Sequence, residues 1–362
     1  MKKFPSIIDR YIIRQFLSTF FFAIALLSVI IVIVDLSEKI DDFLTRGASV
    51  HAIIFDYYFN FLPFFITQYS YLFIFIAVVF FTSRLASRTE IIAMLNGGIN
   101  FWRLLIPYVV TGLLLGVLFL VLSNFIIPKS NYKMREFEKM YYRNPFQNRE
   151  VNIHMQISPG TFIYVENYKV NTQTGYKFTL EKFQDNKQVY KLTAPSIQWI
   201  DSLEMWRLRS YFERSFDGIH ETYRQGAVID TTLGFTNTEF HIDTEDRKIM
   251  NYWELNEFIE KEKLKGATNV ETYEIEKYQR MMYPLTSLIL TLMGISLSNR
   301  KTRGGIGIHL AVGLALAAIY ILLMQFASMF SRIGGLTPLM GVMVPNLVFI
   351  ILVVFLLYIA QK

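Results

Sequence analysis

The sequence predicts an α-helical membrane protein with six transmembrane helices, arranged three plus three around an inserted antiparallel β domain. Three observations support this fold class: long uncharged windows, a polar segment that holds most of the charges, and a change from helical to alternating periodicity within that segment. The mean hydropathy is +0.31. Only 18% of the 362 residues are charged, against about 25% in soluble domains. A soluble globular fold is therefore disfavoured.

The helices follow from six uncharged windows of at least 19 residues, namely 15–34, 57–83, 104–128, 281–299, 304–331 and 333–361. About 20 apolar residues span a bilayer core. The segment 129–280 instead carries 22 of the 36 Lys and Arg residues and 23 of the 30 Asp and Glu residues. We therefore divide the chain into an N-terminal membrane part (1–128), a polar part (129–280) and a C-terminal membrane part (281–362).

The distribution of basic residues predicts the orientation. If the helices alternate across the membrane, one side receives 11 of the 14 basic residues outside 129–280: Lys2, Lys3, Arg10, Arg14, Arg84, Arg88, Arg103, Arg300, Lys301, Arg303 and Lys362. Cytoplasmic loops carry an excess of Lys and Arg, so both termini are predicted to be cytoplasmic and segment 129–280 to be external. That segment has a net charge of 22 minus 23, or −1, so the pI near 9.2 does not indicate a nucleic-acid partner.

Composition excludes several kinds of chemistry. The chain has no cysteine, and none of its five histidines is paired at i and i+4, so no catalytic residue, metal site or cofactor is predicted. The Ser-x-x-Lys pattern of some hydrolases occurs at Ser130–Lys133 and Ser298–Lys301, at opposite predicted membrane faces, which makes a membrane-embedded hydrolase a weak alternative. An anchored interaction scaffold is the other alternative, and it explains the β domain but not six spans.

Within 150–247 the periodicity is that of strands. Tyr176, Phe178 and Leu180 alternate with polar residues, and similar runs follow. This alternation predicts an antiparallel sheet with one apolar face. That face is either an ordinary core or the lining of a groove for an apolar ligand. An amphipathic helix ending at Gly266 and a helical run from Val270 then lead into the fourth span.

The loop between the second and third spans predicts a short cytoplasmic helix at 87–97. Ser87 and Glu90 fit a capping box, and Gly97-Gly98 provides a left-handed exit. Ile91, Met94 and Leu95 share one face. Such a helix either lies flat on the bilayer or docks into a partner's groove. Glu90 disfavours contact with anionic lipid, so docking is favoured.

At this loop the sequence resembles the LptF/LptG (YjgP/YjgQ) permeases of lipopolysaccharide export, whose short cytoplasmic segment is similar to 87–99. The resemblance covers nearly the whole chain. Further matching motifs are Asp9-Arg10-Tyr11-Ile12, Gln15-Phe16-Leu17, Tyr278-Gln279-Arg280, Pro284-Leu285, Gly294-Ile295-Ser296-Leu297 and Pro345-Asn346. Asn96-Gly97-Gly98 departs from the family's usual Arg-Ala-Ala-Gly. The absence of a large insert favours an LptG-like member.

The resemblance implies a permease subunit of an ABC transporter in the bacterial inner membrane that extracts lipopolysaccharide and passes it to a periplasmic bridge towards the outer membrane. It implies a second LptF/LptG-type permease and a cytoplasmic LptB-type ATPase dimer as partners, with an LptC-like single-span protein and an LptA-like periplasmic protein as further candidates. The chain itself contains no Gly-x-x-x-x-Gly-Lys-Ser/Thr motif, so ATP hydrolysis is expected in the separate ATPase. The β domain is expected to resemble a jelly roll.

The resemblance also implies three sets of site residues. The set expected to couple to the ATPase is Ser87, Arg88, Thr89, Glu90, Ile91, Met94, Leu95, Gly97 and Gly98, with Glu90 facing a basic residue of the ATPase groove. Cations expected at an outer rim for substrate phosphates are Lys39, Arg46, Lys129, Lys133 and Arg135. The alternative for these cations is anchoring at the interface or pairing with Asp41, Asp42 and Glu136. Residues expected to line an acyl-chain path in the β domain are Phe178, Leu180, Leu192, Trp199, Trp206 and Leu208.

Overall fold

A computed structural model describes residues 5–142, 151–185, 187–218, 220–240, 244–267, 270–302 and 305–361. The chain forms two compact units, one helical and one built on a β sheet. The helical unit comprises Met1–Tyr142, Lys248–Tyr252 and Glu274–Lys362, and the sheet unit comprises Arg143–Arg247 and Trp253–Tyr273. Four basic residues used to predict orientation, Lys2, Lys3, Arg303 and Lys362, lie outside the described residues. The three-part division at 128/129 and 280/281 stays a prediction.

The α-helical segments of the described chain are α1 (Ile7–Thr45), α2 (Val50–Gln68), α3 (Ser70–Ser87), α4 (Glu90–Asn96), α5 (Phe101–Tyr141), α6 (Tyr252–Lys265), α7 (Val270–Met281), α8 (Tyr283–Ser298), α9 (Gly305–Arg332) and α10 (Pro338–Gln361). Among the described residues six of them, α1, α2, α3, α5, α9 and α10, are long and apolar enough to cross a membrane. The pair α7 and α8 adds a seventh candidate, bent by 55°. The predicted class, apolar helices with an inserted antiparallel sheet, is confirmed.

One predicted span is broken within its length, and another begins at a break. The window 57–83 is divided at Tyr69, whose φ of −108° and ψ of 17° interrupt the helical ladder between α2 and α3. The window 281–299 becomes α8, which begins at Tyr283 with Pro284 in its first turn. Proline lacks the N–H that would continue α7, and its ring disfavours helical geometry in the preceding residue. Window averages of hydropathy detect neither break.

The helical unit packs around α3 and α8, whose side chains are mostly buried. Apolar residues of α1, α5, α9 and α10 join them in one cluster. The backbones of α5 and α8 approach so closely that a Cβ at Gly116 would lie 2.6 Å from the Cα of Pro284. Small residues permit such close helix packing in membranes, so the two predicted membrane thirds form a single packed body.

The sheet unit contains β1 (Val151–Ser158), β2 (Thr161–Lys169), β3 (Thr174–Gln184), β4 (Lys187–Ile200), β5 (Met205–Asp217) and β6 (His220–Thr231). All six strands are antiparallel and pair in sequence order. This is an up-and-down meander, whereas a jelly roll is built from Greek-key connections. The antiparallel β domain is thus confirmed, and its jelly-roll detail is corrected for the described strands.

One face of the sheet carries the core of this unit. Phe178, Leu180, Leu192, Trp206 and Leu208 are buried there, as strand alternation predicts. After β6 the chain returns across this face, where Phe235 and Phe240 join the cluster. Tyr168 stacks on Phe240, with ring centroids 4.4 Å apart. The apolar face is therefore covered by the chain's own residues.

Candidate functional site

The loop helix that was predicted at 87–97 is shorter, since α4 covers Glu90–Asn96. The predicted capping box is wrong: Ser87 is the last residue of α3, and its hydroxyl donates to the carbonyl of Arg84 at 2.9 Å. Serine hydroxyls commonly bond back to a carbonyl three or four residues earlier, and this competes with capping. Thr89, with φ of 61°, precedes α4 without a side-chain cap bond. At the other end only Gly98, with φ of 84°, is left-handed, and Gly97 is not.

Glu90 is held by the start of the chain. Its Oε2 accepts a hydrogen bond from the Tyr11 hydroxyl of α1 at 2.7 Å. Two residues earlier, the Asp9 carboxylate accepts bonds from Nη1 and Nη2 of Arg103 at 2.7 and 2.5 Å. Asp9 is buried and also closes a capping box with Ser6 at the beginning of α1. The first turns of α1 therefore connect α4 to the beginning of α5.

Sequence reasoning did not find Asp9, Tyr11 and Arg103 as site residues. Asp9 and Tyr11 belong to the first motif that resembles the family, and this motif was the signal in the sequence that could have identified them. Their partners lie 94 and 79 residues away along the chain. No local pattern links residues at such separations, so only the packing of the helices reveals these contacts.

The apolar stripe of α4 faces the chain's own core. Ile91 is only 2% exposed, and Met94 and Leu95 are half-buried against the same cluster. The large apolar side chain that this helix exposes is Ile92, at 47%. Arg88, Ala93, Asn96 and Gly97 are also exposed. The surface that α4 offers to another molecule is thus centred on Ile92 and not on the predicted stripe.

The five predicted rim cations fall into two groups. Arg46, Lys129 and Lys133 are exposed, whereas Lys39 and Arg135 are buried or nearly so. The Lys39 ammonium bonds Asp35 Oδ1 at 2.5 Å and the Tyr57 hydroxyl. It also lies 5.0 Å from the centroids of the Tyr57 and Tyr142 rings. Lys39 is therefore enclosed in an aromatic cluster, with an acid other than the predicted Asp41 or Asp42 as its partner.

The six residues predicted to line an acyl-chain path lie in the core of the sheet unit. Five are buried, namely Phe178, Leu180, Leu192, Trp206 and Leu208, and Trp199 is partly buried against them. The indole N–H of Trp206 donates to the carbonyl of Phe235 at 2.8 Å. Contact between an acyl chain and this face requires displacement of the segment that carries Phe235 and Phe240. Across the part of the chain that the structure describes, no group of three or more His, Asp or Glu side chains is placed to hold a metal ion.

Comparison with known proteins is consistent with this arrangement. A family model described as "Lipopolysaccharide export system permease LptF/LptG" matches residues 10–359. The chain is also similar to the lipopolysaccharide export system permease protein LptG of Escherichia coli K12, with 18% identity over 277 residues that cover 75% of this chain and 76% of the relative. LptG of E. coli O6:H1 strain CFT073 gives the same values. These relatives are consistent with the predicted LptG-like leaning. Because the match spans nearly every residue, both membrane parts and the inserted sheet included, the chain belongs to the LptF/LptG family of lipopolysaccharide export permeases.

Proposed function

We propose that this chain is a permease subunit that extracts lipopolysaccharide from the inner membrane and passes it to a periplasmic bridge towards the outer membrane. The observation that carries this proposal is the family match over residues 10–359. The E. coli relatives are named as permease proteins of the lipopolysaccharide export system. In this function the chain pairs with a second permease of the same family, and ATP is hydrolysed by a separate cytoplasmic ATPase dimer.

The proposed topology has both termini and α4 in the cytoplasm and the sheet unit in the periplasm. The excess of basic residues near one set of helix ends supports it. The chain has no cysteine, so each introduced cysteine is a unique label. A membrane-impermeant maleimide should label Ser202→Cys in intact spheroplasts, and Thr89→Cys only after permeabilisation, since both positions are exposed. The opposite pattern would reverse the topology.

Coupling to the ATPase is assigned to the exposed face of α4 around Ile92, with Glu90 at its start. An apolar side chain that docks into a groove stabilises the complex. A charged side chain at the same position would be buried without a counter-ion, which destabilises the complex. Ile92→Asp should therefore abolish copurification of an LptB-type ATPase with the tagged chain and reduce lipopolysaccharide-stimulated ATP hydrolysis. Ile7→Asp is the matched control, because Ile7 is an exposed isoleucine on the same predicted side. Equal ATPase recovery from both variants would remove α4 from the interface.

Passage of acyl chains through the sheet unit is the second part of the proposal. The buried apolar face supplies the surface, provided that the segment with Phe235 and Phe240 moves away during transport. A photo-crosslinking residue at Phe178 or Trp206 should capture lipopolysaccharide only when ATP is supplied, because the lipid must first leave the bilayer. Crosslinks to protein alone, with and without ATP, would assign these side chains to a permanently closed core.

A further inference from the structure

The beginning of α1 is held by polar contacts on two sides. Asp9 and Tyr11 are two residues apart on this helix, so their side chains leave it in directions about 200° apart. Residues at this spacing do not face each other. Asp9 contacts Arg103 of α5, and Tyr11 contacts Glu90 of α4. The first turns of α1 therefore lie between α4 and the start of α5, with a polar contact to each.

The contact between Asp9 and Arg103 is the stronger of the two. Nη1 donates to Oδ1 at 2.7 Å and Nη2 to Oδ2 at 2.5 Å, which is the bidentate geometry of an arginine–carboxylate pair. The Asp9 side chain is only 2% exposed, and its Oδ2 also accepts a bond from the backbone N–H of Ser6 at 2.7 Å. Separation of α1 from α5 at this point would leave a buried carboxylate without its counter-ion. We therefore expect the two helices to move together here.

The contact between Tyr11 and Glu90 is a single hydrogen bond at the surface. The hydroxyl donates to Glu90 Oε2 at 2.7 Å, and Tyr11 is 37% exposed. Loss of this bond leaves both groups accessible to water, so it removes a link at little cost in stability. Glu90 is the first residue of α4, two positions before the exposed Ile92. The bond thus attaches α1 to the end of α4 that lies next to the proposed docking surface.

Elsewhere α1 has few attachments within this chain. Only 6% of its most apolar window is buried. Besides Asp9, its buried residues are Ile12, Phe16 and Phe20 near its start and Phe43 near its end. The chain itself joins α4 to α3 and α5 but not to α1, so only side chains can carry a displacement of α4 to α1. Ile91 of α4 packs in the same apolar cluster as Ile12, but apolar contacts are not directional.

We propose that Tyr11, Asp9 and Arg103 are positioning residues that carry a displacement of α4 to α1 and to the start of α5. Energetic coupling between distant sites passes through packed side chains, hydrogen bonds and rigid helices, and all three are present here. Tyr11 acts through Glu90, and the Asp9–Arg103 pair keeps α1 and α5 together. This inference rests on the proposed function, in which an ATPase docks on the exposed face of α4, and it adds α1 to the helices that the ATPase moves.

The first test compares two variants that each lose one hydroxyl group. Tyr11→Phe removes the bond to Glu90, and Tyr190→Phe removes a bond to Glu213 Oε1 of 2.8 Å in the sheet unit. In the copurified complex, the ratio of lipopolysaccharide-stimulated to basal ATP hydrolysis should fall about threefold or more in Tyr11→Phe. The ratio should keep its wild-type value in Tyr190→Phe, and both variants should recover as much ATPase as the wild-type chain.

The outcomes of this test separate the inference from the proposed function. A wild-type ratio in Tyr11→Phe, or an equal fall in both variants, would overturn the inference alone. Lower ATPase recovery with Tyr11→Phe would also overturn it, because the hydroxyl would then act in docking. A wild-type complex without ATPase or without stimulation would reject the proposed function and this inference with it.

A distance measurement tests the movement itself. The chain has no cysteine, so spin labels at Ser18→Cys of α1 and Asn96→Cys of α4, two exposed positions, are unique when the partner chains also lack cysteine. When ATP and vanadate trap the complex, the distance between the labels should stay constant in the otherwise unchanged chain and should change in the Tyr11→Phe background. A change in both backgrounds, or in neither, would overturn the link between α4 and α1.

A double variant tests whether the two contacts belong to one route. Arg103→Lys keeps the charge but cannot form the bidentate pair with Asp9, so it should also lower the stimulation ratio. Mutations that act in one network are not additive. Tyr11→Phe/Arg103→Lys should therefore have a ratio no lower than that of the more affected single variant. A reduction equal to the product of the two single reductions, or a wild-type ratio in Arg103→Lys, would overturn the single route through α1.

Discussion

The apolar face of the sheet and the apolar stripe of α4 were both predicted to meet other molecules, yet they are covered to different degrees. On the sheet, Trp206 and Leu208 are fully buried, and Phe235 and Phe240 close the face. On α4 only Ile91 is fully enclosed, and Ile92 stays exposed beside it. Hydrophobic periodicity therefore locates an apolar face but does not reveal what covers it.

The difference has a physical origin in the length of chain available to each element. About a hundred residues of the sheet unit supply both a face and the segment that returns over it. The seven residues of α4 cannot bury their own surface and pack one side against neighbouring helices. A short helix between two spans thus keeps one side exposed, whereas the apolar face of the sheet is covered by the chain itself.

The largest expected effect tests whether the sheet face is closed. Trp206→Ala should lower the free energy of unfolding of the sheet unit by about 3–5 kcal/mol, because it leaves a cavity and removes the bond to the Phe235 carbonyl. Pulse proteolysis in increasing urea on the purified full chain measures this loss. Trp253→Ala is the control, since Trp253 is 70% exposed. Similar urea midpoints for the two variants would mean that the face is open in solution.

The next prediction separates the two sides of α4. Ile91→Ala should destabilise the helical unit by about 2–5 kcal/mol, because the side chain is buried in its core. Ile92→Ala, a neighbouring deletion of the same size, should change stability by about 0.5 kcal/mol or less. Thermal unfolding of both variants in detergent gives the comparison. Greater loss from Ile92→Ala would show that α4 is rotated relative to this structure.

The sequence predicted element types well because they depend on local patterns. Long uncharged windows predicted the membrane helices, and the alternation of apolar and polar residues predicted the strands. The break at Tyr69 was missed since it depends on the backbone angles of one residue. The Ser87 cap was wrong because two local hydrogen bonds compete for the same hydroxyl. The contacts of Glu90 with Tyr11 depend on packing between distant segments, which a single sequence does not contain.

A third prediction concerns the two groups of rim cations. Replacing Arg46, Lys129 and Lys133 together with Gln should raise the lipopolysaccharide concentration that half-stimulates ATP hydrolysis by about tenfold, since three exposed charges at about 0.5 kcal/mol each contribute about 1.5 kcal/mol. Lys261→Gln with Lys263→Gln, exposed cations of α6, is the control. Unchanged stimulation in the folded triple variant would assign the three residues to membrane anchoring.

Lys39→Gln should behave differently from the exposed rim cations. This change leaves Asp35 buried beside Tyr57 without its counter-ion. The helical unit should therefore unfold at a lower temperature. Breaking a buried ion pair commonly lowers the free energy of unfolding by about 3–5 kcal/mol. Thermal unfolding in detergent of Lys39→Gln and the triple variant compares the two groups. Full stability of Lys39→Gln would contradict the enclosed position of this ammonium.

The smallest expected effect lies on the solvent face of the sheet, opposite the core. Arg207 and Asp230 are paired across β5 and β6, and Nε and Nη2 donate to the two carboxylate oxygens at 2.8 Å each. The hydrogen bonds from Arg207 lower the pKa of Asp230 below its ordinary range. A carboxyl group whose pKa is depressed by folding contributes stability above its unfolded value of about 3.9, and this contribution disappears as the pH falls through the folded value.

The stability difference between the wild-type chain and the double variant Arg207→Gln/Asp230→Asn should therefore be present at pH 7 and shrink below about pH 4. Both side chains are about one-third exposed, so solvent screens the pair and the difference should be much smaller than that for Trp206→Ala. Pulse proteolysis with an acid-stable protease, at pH 7 and at steps down to pH 2.5, follows the urea midpoint of the sheet unit. A difference that stays constant over this range would show that the double variant differs from the wild type through packing on the strands and not through the charge of Asp230.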